Sequence, residues 1–434
     1  MQVSVEKTSE LSRKMTVTVP GEVVQEKVNA RLKSLAREVK VDGFRPGKVP
    51  QKVVQKMYGA RVKEEITGDL IQTNYIQALQ DNDLRPAGMP HIEPIESEEG
   101  FTFSAVFEVY PEFTLDAVES IEVNRPVANV ESSDIDAMVD KLKEQKKSWE
   151  ASEQDAQQGV QVTITFSGTC EGENFTDGTV EDFQVELGSK RMIPGFEDQL
   201  IGLAVGAKKT FEVTFPEDYG NKKIAGKVAA FDVEVFKIET STLPEIDEEF
   251  IKAYGIESGE VEAFRADVEK NMQRELAQGL KVRLKNSVMD ALYDAVPVSL
   301  PAAMVDQEVE SLMKPYYENA KKRNVDVNEI KPASADFEDQ AKRRVALGLI
   351  LAEIIQKNEI KADADKIRAV IDDMAQSYEV PEQVVNWYYG DKERLAEIEQ
   401  MVLEDATVAW VLDKVKVTDE AISFSDVMEP ATQK

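Results

Sequence analysis

From Val160 to Val235 the apolar residues fall on every second position, while before and after this stretch they recur every third or fourth. The alternating runs are Val160-Val162-Ile164-Phe166, Phe183-Val185-Leu187, Phe211-Val213-Phe215 and Phe231-Val233-Val235. A period of two puts side chains on one face of a strand, and a period near 3.6 puts them on one stripe of a helix. The chain is therefore a β-rich module set inside a helical domain. Gly188, Ile193-Pro194-Gly195 and Pro216 to Gly220 punctuate the module with turns, and a short helix is expected near Phe196–Ile201. This predicts a small, strongly bent antiparallel sheet. The polar run from Trp149 to Gly159 reads as an entry linker, and Thr240 to Glu245 marks the exit.

The first 110 residues read as an α+β unit. Val3-Ser4-Val5 and Met15 to Val19 alternate like strands, as does Phe101 to Val109. Pro20 opens a helix with an apolar stripe of Val24, Val28, Leu32, Leu35 and Val39; a second helix carries Val62, Ile66, Leu70, Ile71 and Leu79. Pro111 to Val130 reads as an extended connector. Ser132–Ser133 then cap a helix expected to run to Trp149, about 27 Å long. It carries Ile135, Met138, Val139 and Leu142 on one stripe. Such a helix is unstable alone, so it belongs with the helices after residue 245, which break at Pro297/Pro301, Pro332 and Pro381. The expected architecture is α+β multidomain. It has an N-terminal domain over 1–111, a connector and first helix over 112–149, the β module over 150–245, and a mostly helical domain over 246–434.

Gly43-Phe44-Arg45-Pro46-Gly47-Lys48-Val49-Pro50 joins the two N-terminal helices. Its glycines and prolines restrict the backbone, so Phe44, Arg45 and Lys48 can be presented outward with little ordering on binding. A plain helix–helix connection is the other reading. The charge around it bears on the choice. Gly21 to Lys63 holds eleven Lys/Arg against four Asp/Glu, a surplus of seven, in a chain of formal net charge −30, so the remainder carries −37. An acidic body is a poor general binder of nucleic acid, whereas one basic face suits docking on a specific anionic partner. Gly43 to Lys48 superficially resembles a phosphate loop. It has three residues between the glycines instead of four, and Val49 where Ser or Thr would hold magnesium.

With one cysteine, Cys170, and one histidine, His91, the chain can form neither an internal disulfide nor a Cys/His zinc centre. Cys170 is expected as a small buried residue, and His91 in a loop after Met89-Pro90. No cofactor is expected. The N-terminus lacks the basic start and apolar core of a signal peptide. The longest apolar run, Val345 to Ala352, is far short of the roughly 20 residues that span a bilayer. A cytoplasmic protein is expected, with no membrane partner.

Eight aromatic residues (Phe166, Phe175, Phe183, Phe196, Phe211, Phe215, Tyr219, Phe231) crowd the β module. Core packing accounts for Phe211 and Phe215. Phe166-Ser167-Gly168, Gly172 to Phe175, Leu187-Gly188, Met192 to Glu197, Leu200 to Leu203, Tyr219-Gly220 and Phe231 to Val235, in this order and spacing, resemble the FKBP-type peptidyl-prolyl isomerases. The resemblance implies an FKBP-like antiparallel sheet with a short helix. It implies a proline pocket lined by Phe166, Phe175, Phe183, Met192, Ile193, Phe196, Tyr219 and Phe231. Thr176 stands where many relatives have Asp.

The loop Gly43, Phe44, Arg45, Pro46, Gly47, Lys48 resembles the ribosome-docking signature of the trigger factor family, and the order of parts resembles that family across the whole chain. The resemblance implies an ATP-independent chaperone. It would dock on ribosomal protein and RNA near the exit tunnel, hold unfolded nascent chains for folding or export, and isomerise X-Pro bonds, with cell division among the processes served. It also implies a weak homodimer off the ribosome. Two alternatives stay open: a stand-alone prolyl isomerase with recruiting domains, and a chaperone for ribosomal-protein assembly whose acidic body shields basic clients.

Overall fold

The computed structural model describes every residue except 1, 43, 45–48, 96–99, 177, 218, 222–223, 323–334, 377, 379 and 430–434. The chain divides into two compact units, residues 1–126 with 282–420, and residues 127–281 with 421–434.

The first unit opens with β1 (Gln2–Lys7) and β2 (Ser12–Pro20), then helices α1 (Gly21–Glu38) and α2 (Gln51–Asp81), then β3 (His91–Ile95) and β4 (Gly100–Glu108). The strands form an antiparallel sheet in the order β1-β2-β4-β3. Met15, Val17 and Val19 on β2 and Phe103, Ala105 and Phe107 on β4 turn inward, where they meet Leu32 of α1 and Val54, Val62, Ile66 and Leu70 of α2. Each fully buried Leu or Phe in such a core contributes about 1.5–3 kcal/mol. His91 lies on β3, beside Glu93, and not in a loop.

The stretch after Pro111 is not a plain connector. Asp116–Ser120 forms one 3-10 turn, and β5 (Glu122–Val127) pairs with a strand near the other end of the chain, which Arg125 reinforces through an ion pair with Asp419 at 2.6 Å.

In the second unit, α3 (Ser132–Gln145) ends four residues before Trp149. Its cap is Glu131, in a reciprocal box with Asp134, one residue ahead of the expected serines. The supposed linker is structured: β6 (Ser148–Ala151) pairs with the exit strand, and Ala156 is fully buried with its N–H donated to Leu203 and its carbonyl accepting from Gly202. The module continues with β7 (Val160–Cys170), β8 (Glu173–Asn174), β9 (Val180–Glu186), α4 (Phe196–Leu200), β10 (Lys208–Thr214) and β11 (Val228–Thr242). All its strand pairings are antiparallel, with β11 and β7 at the centre of the order β10-β11-β7-β8. Irregularities at Val235/Lys237 and Ile164/Phe166 break the register, which is how a sheet of this size bends. Cys170 is buried in β7.

Helix α5 (Glu248–Lys252) follows, then α6 (Val261–Ala295), whose first half packs Phe264, Val268 and Met272 with Ile135 and Val139 of α3. The helix before the module thus shares a core with α5 and the first half of α6 after it. The remaining helices are α7 (Ala302–Lys322), α8 (Ala335–Lys357), α9 (Ala364–Ala375), α10 (Pro381–Tyr389) and α11 (Lys392–Lys414). Two apolar stripes face each other: Val305, Val309 and Met313 of α7 meet Phe337, Ala341 and Val345 of α8. The helical run is interrupted once more, by β12 (Lys416–Ala421), the partner of β5, before α12 (Phe424–Met428).

Candidate functional site

In the β module the expected pocket residues sort by depth. Phe196, Phe231 and Phe166 are buried, at 0%, 3% and 8% exposure; Phe175, Phe183, Met192 and Ile193 are half-buried against the same core; Tyr219 is 40% exposed. Phe231 is the hub, with ring centroids 5.1 Å from Phe196, 5.6 Å from Phe175 and 6.1 Å from Phe166. The chain of rings extends through Phe166 to Phe183 at 5.4 Å, and through Phe175 and Phe215 to Tyr219, the last pair at 4.6 Å. Phe211 and Phe215 are core residues, as the alternation predicts. The eight residues come from β7, β9, β11, α4 and the loops; six are aromatic, Met192 and Ile193 pack against the same core, and Phe215 links Tyr219 to the other rings. A polar cleft of about 390 Å³ lies between Thr165, Ser167, Lys208, Thr210 and Asp232, with Phe166 the one member of the aromatic set in its lining.

Local chemistry explains the placement. Gly195, at φ 86°, caps α4 and turns Phe196 inward. Gly168 accepts Phe175 so closely that a Cβ there would stand 2.3 Å from the Phe175 ring. Thr176 spends its hydroxyl on the loop. Its Oγ1 accepts from the Gly168 N–H at 3.2 Å and lies 2.6 Å from the Gly178 carbonyl and 2.8 Å from Asn174 Oδ1. Glu197 is buried beside Phe196. Burial pushes its carboxyl up, but hydrogen bonds from the Met192, Gly188 and Lys190 amides and the Ser189 hydroxyl outweigh this and hold it below its ordinary value of 4.5.

Among the described residues the aromatic set holds no carboxylate, imidazole or thiol, which suits a reaction that needs none. Peptide rotation costs roughly 18–20 kcal/mol because resonance keeps the bond planar. The twisted X-Pro amide has lost that resonance, so a water-poor aromatic pocket that grips the Pro ring favours it over the planar form.

On the N-terminal unit, Phe44 is 40% exposed and its N–H donates to the Val41 carbonyl at 3.1 Å; Gly43, Arg45, Pro46, Gly47 and Lys48 lie outside the described residues. Val49 is buried, which anchors the loop's far end just before α2. Lys27, Lys33 and Arg37 on α1 and Lys52, Lys56, Arg61 and Lys63 on α2 are exposed. Arg31 pairs with Glu65 at 2.9 Å and is, among the described residues, the one cation of this segment in an ion pair.

A third feature escaped the sequence reading. Met374 of α9 and Tyr378, with Gln383, Val384, Trp387 and Tyr388 of α10, line a groove of about 780 Å³. Tyr378 is 62% exposed and Trp387 53%. Arg394 of α11 lies 3.9 Å over the Trp387 ring and donates to its carbonyl at 2.7 Å, which fixes the indole in place. The available signal was Trp387-Tyr388-Tyr389 on a helix of nine residues, more aromatic surface than one buried stripe can hold.

A family model described as "Bacterial trigger factor protein (TF)" matches residues 1–142, one described as "Bacterial trigger factor protein (TF) C-terminus" matches 260–413, and one described as "FKBP-type peptidyl-prolyl cis-trans isomerase" matches 152–239. The chain is 44% identical to trigger factor of Pseudomonas putida (strain GB-1), covering 99% of this chain and 98% of that protein. It is 45% identical to trigger factor of Ectopseudomonas mendocina (strain ymp), with 99% of both chains covered, and 43% identical to trigger factor of Nitrosococcus oceani, with 99% and 98% covered. A solved structure described as "Promiscuous Substrate Recognition in Folding and Assembly Activities of the Trigger Factor Chaperone" aligns over 95% of this chain and 99% of that one, at 17% identity and a TM-score of 0.49. On the full-length identity to these relatives, and on the two matching models at its ends, the chain belongs to the trigger factor family and carries an FKBP-type peptidyl-prolyl isomerase domain.

Proposed function

We propose that this ribosome-associated chaperone docks through Phe44, Arg45 and Lys48 and grips clients through the aromatic groove of α9 and α10. X-Pro bonds are isomerised over the cluster centred on Phe231. Family membership gives the ribosome and the nascent chain as partners and prolyl isomerisation as the activity. One observation carries the assignment of the docking loop: Phe44 stands half in solvent between two helices whose lysines and arginines are almost all unpaired among the described residues. Such a surface attracts a polyanion in a salt-sensitive way, while an aromatic side chain at the tip supplies contact area of the kind that dominates interfaces.

The groove suits a client because it is open and aromatic, and its lining among the described residues holds no charged side chain, Arg394 covering one face of Trp387. Aromatic rings and Met adapt to varied apolar segments, and weak holding of such segments delays aggregation. The domain limits 1–111, 112–149, 150–245 and 246–434 remain the proposed division of labour, and the compartment proposed is the cytoplasm. No helix among the described residues is long and apolar enough to cross a membrane. The charge of −37 outside the basic segment suits basic clients, ribosomal proteins among them; weak self-association off the ribosome completes the proposed partners. The stand-alone isomerase and the dedicated assembly chaperone are not favoured, because the trigger factor models match at both ends of the same chain that holds the isomerase.

Aggregation suppression and proline-peptide isomerisation, measured on Trp387→Ala and Tyr219→Ala, test the assignment. The first variant is expected to lose only holding and the second only isomerisation; loss of both together in either variant would contradict two separate sites.

A further inference from the structure

Glu197 is 8% exposed, and among the described residues no Lys or Arg forms an ion pair with it. Its charge is met instead by the loop that leads into the pocket. Oε2 accepts from the Gly188 N–H at 2.7 Å and the Lys190 N–H at 3.2 Å. Oε1 accepts from the Met192 N–H at 3.2 Å and the Ser189 hydroxyl at 3.3 Å. Three amides of five successive residues thus converge on one carboxylate. The loop cannot take this path by propensity alone. Gly188 stands at φ 98° and Lys190 at φ 56°, and a left-handed residue other than glycine persists when its surroundings over-determine it. Glu197 also follows Phe196 directly in α4. One short helix therefore holds the fully buried Phe196 on one side and the loop bearing Met192 and Ile193 on the other.

We propose that Glu197 is a positioning residue for prolyl isomerisation: its carboxylate fixes the loop 188–192 and so sets Met192 and Ile193 against the aromatic floor. The proposal rests on the pocket reading given above. Charge-assisted hydrogen bonds are short and directional, and a group that holds a binding wall within a fraction of an ångström acts on substrate affinity without touching substrate. Gln at this position presents an amide N–H₂ to donors that need an acceptor, and Ala leaves three amides without a partner.

The test is steady-state isomerisation of a proline-containing peptide by the full chain carrying Glu197→Gln, Met192→Ala, or both, with thermal unfolding of each. Glu197→Gln is expected to raise KM five- to fiftyfold with kcat changed less than threefold. It should also speed amide exchange at Gly188, Lys190 and Met192. A residue that only stabilised the domain would lower apparent kcat with the folded fraction and leave KM alone. In the double variant the effect of Glu197→Gln is expected to shrink to less than half its logarithmic size, because it acts through Met192. Wild-type KM in folded Glu197→Gln, with KM raised in Met192→Ala, would overturn the proposal and keep the pocket. Wild-type kinetics in Met192→Ala and Tyr219→Ala alike would overturn the pocket reading and the proposal with it. Should Glu197→Gln fail to fold, Ser189→Ala removes one of the four donors. About a twofold rise in KM is then expected, and an unchanged KM counts against the proposal.

Discussion

The ring of Phe175 rests on the bare α-carbon of Gly168, at a distance that leaves no room for a methyl group: a Cβ on Gly168 would lie 2.3 Å from Cζ and 2.7 Å from Cε1 of Phe175. The same two residues share a backbone hydrogen bond, the Phe175 N–H donating to the Gly168 carbonyl at 3.1 Å. The position of the Phe175 ring is thus set by the absence of a side chain on the neighbouring strand.

Gly168→Ala is therefore expected to push Phe175 off the strand and open the pocket. Overpacking of this kind costs about 1–3 kcal/mol, so the domain should fold with a lowered melting temperature. Isomerase kcat/KM should fall tenfold or more. A wild-type rate in the folded variant would mean that Phe175 does not shape the pocket.

Phe196 and Tyr219 separate floor from rim. Phe196 is fully buried, so Phe196→Ala is expected to destabilise the isomerase domain by about 3–5 kcal/mol as well as to abolish activity. Tyr219 is 40% exposed, so Tyr219→Ala should lower kcat/KM with stability changed by about 0.5 kcal/mol or less. Denaturant titration beside the peptide assay distinguishes the two, and a large stability loss in Tyr219→Ala would contradict its placement at the rim.

Glu197 gives the domain an acid limb. Its carboxyl is held below the ordinary 4.5 in the fold. A depressed folded value stabilises fully above the unfolded one, and that contribution is lost as pH falls below about 4.5 and through the folded value. Thermal scans between pH 6 and pH 3 should show this loss in the native chain and a shallower slope in Glu197→Gln; parallel slopes would remove Glu197 from the balance.

The groove predicts a separable loss. Trp387→Ala with Tyr378→Ala removes two exposed rings, so stability should change by less than about 1 kcal/mol while suppression of aggregation of a denatured client falls severalfold. Full suppression by this variant would move the client grip elsewhere.

Local pattern carried far into the structure where partners are near in sequence. The stripes of α1 and α2 and the alternation of β2 and β4 were legible, since a buried face repeats at the period of its own element. Partners far along the chain were not. Glu122 to Val127 looks like a connector because the strand that pairs with it begins at Lys416. The run from Trp149 to Gly159 is polar enough for a linker, yet its backbone is claimed by Leu203, Gly202 and β11. The helix expected to reach Trp149 stops at Gln145, and Lys147 then bridges Glu144 and Glu186 at 3.2 and 2.6 Å. The aromatic composition of the β module's core was readable. Its depth order, the role of Gly168 and the loop held by Glu197 depend on three-dimensional approach, and the groove on α10 required knowing which face of a short helix stays uncovered.

Ribosome docking through the N-terminal loop is the claim on which the rest depends. Co-sedimentation with ribosomes at two salt concentrations, comparing the native chain with Phe44→Ala/Arg45→Ala/Lys48→Ala, addresses it. Salt-sensitive binding by the native chain and its loss in the triple variant is the expected result. Equal binding by both, or by neither, would contradict docking through this loop.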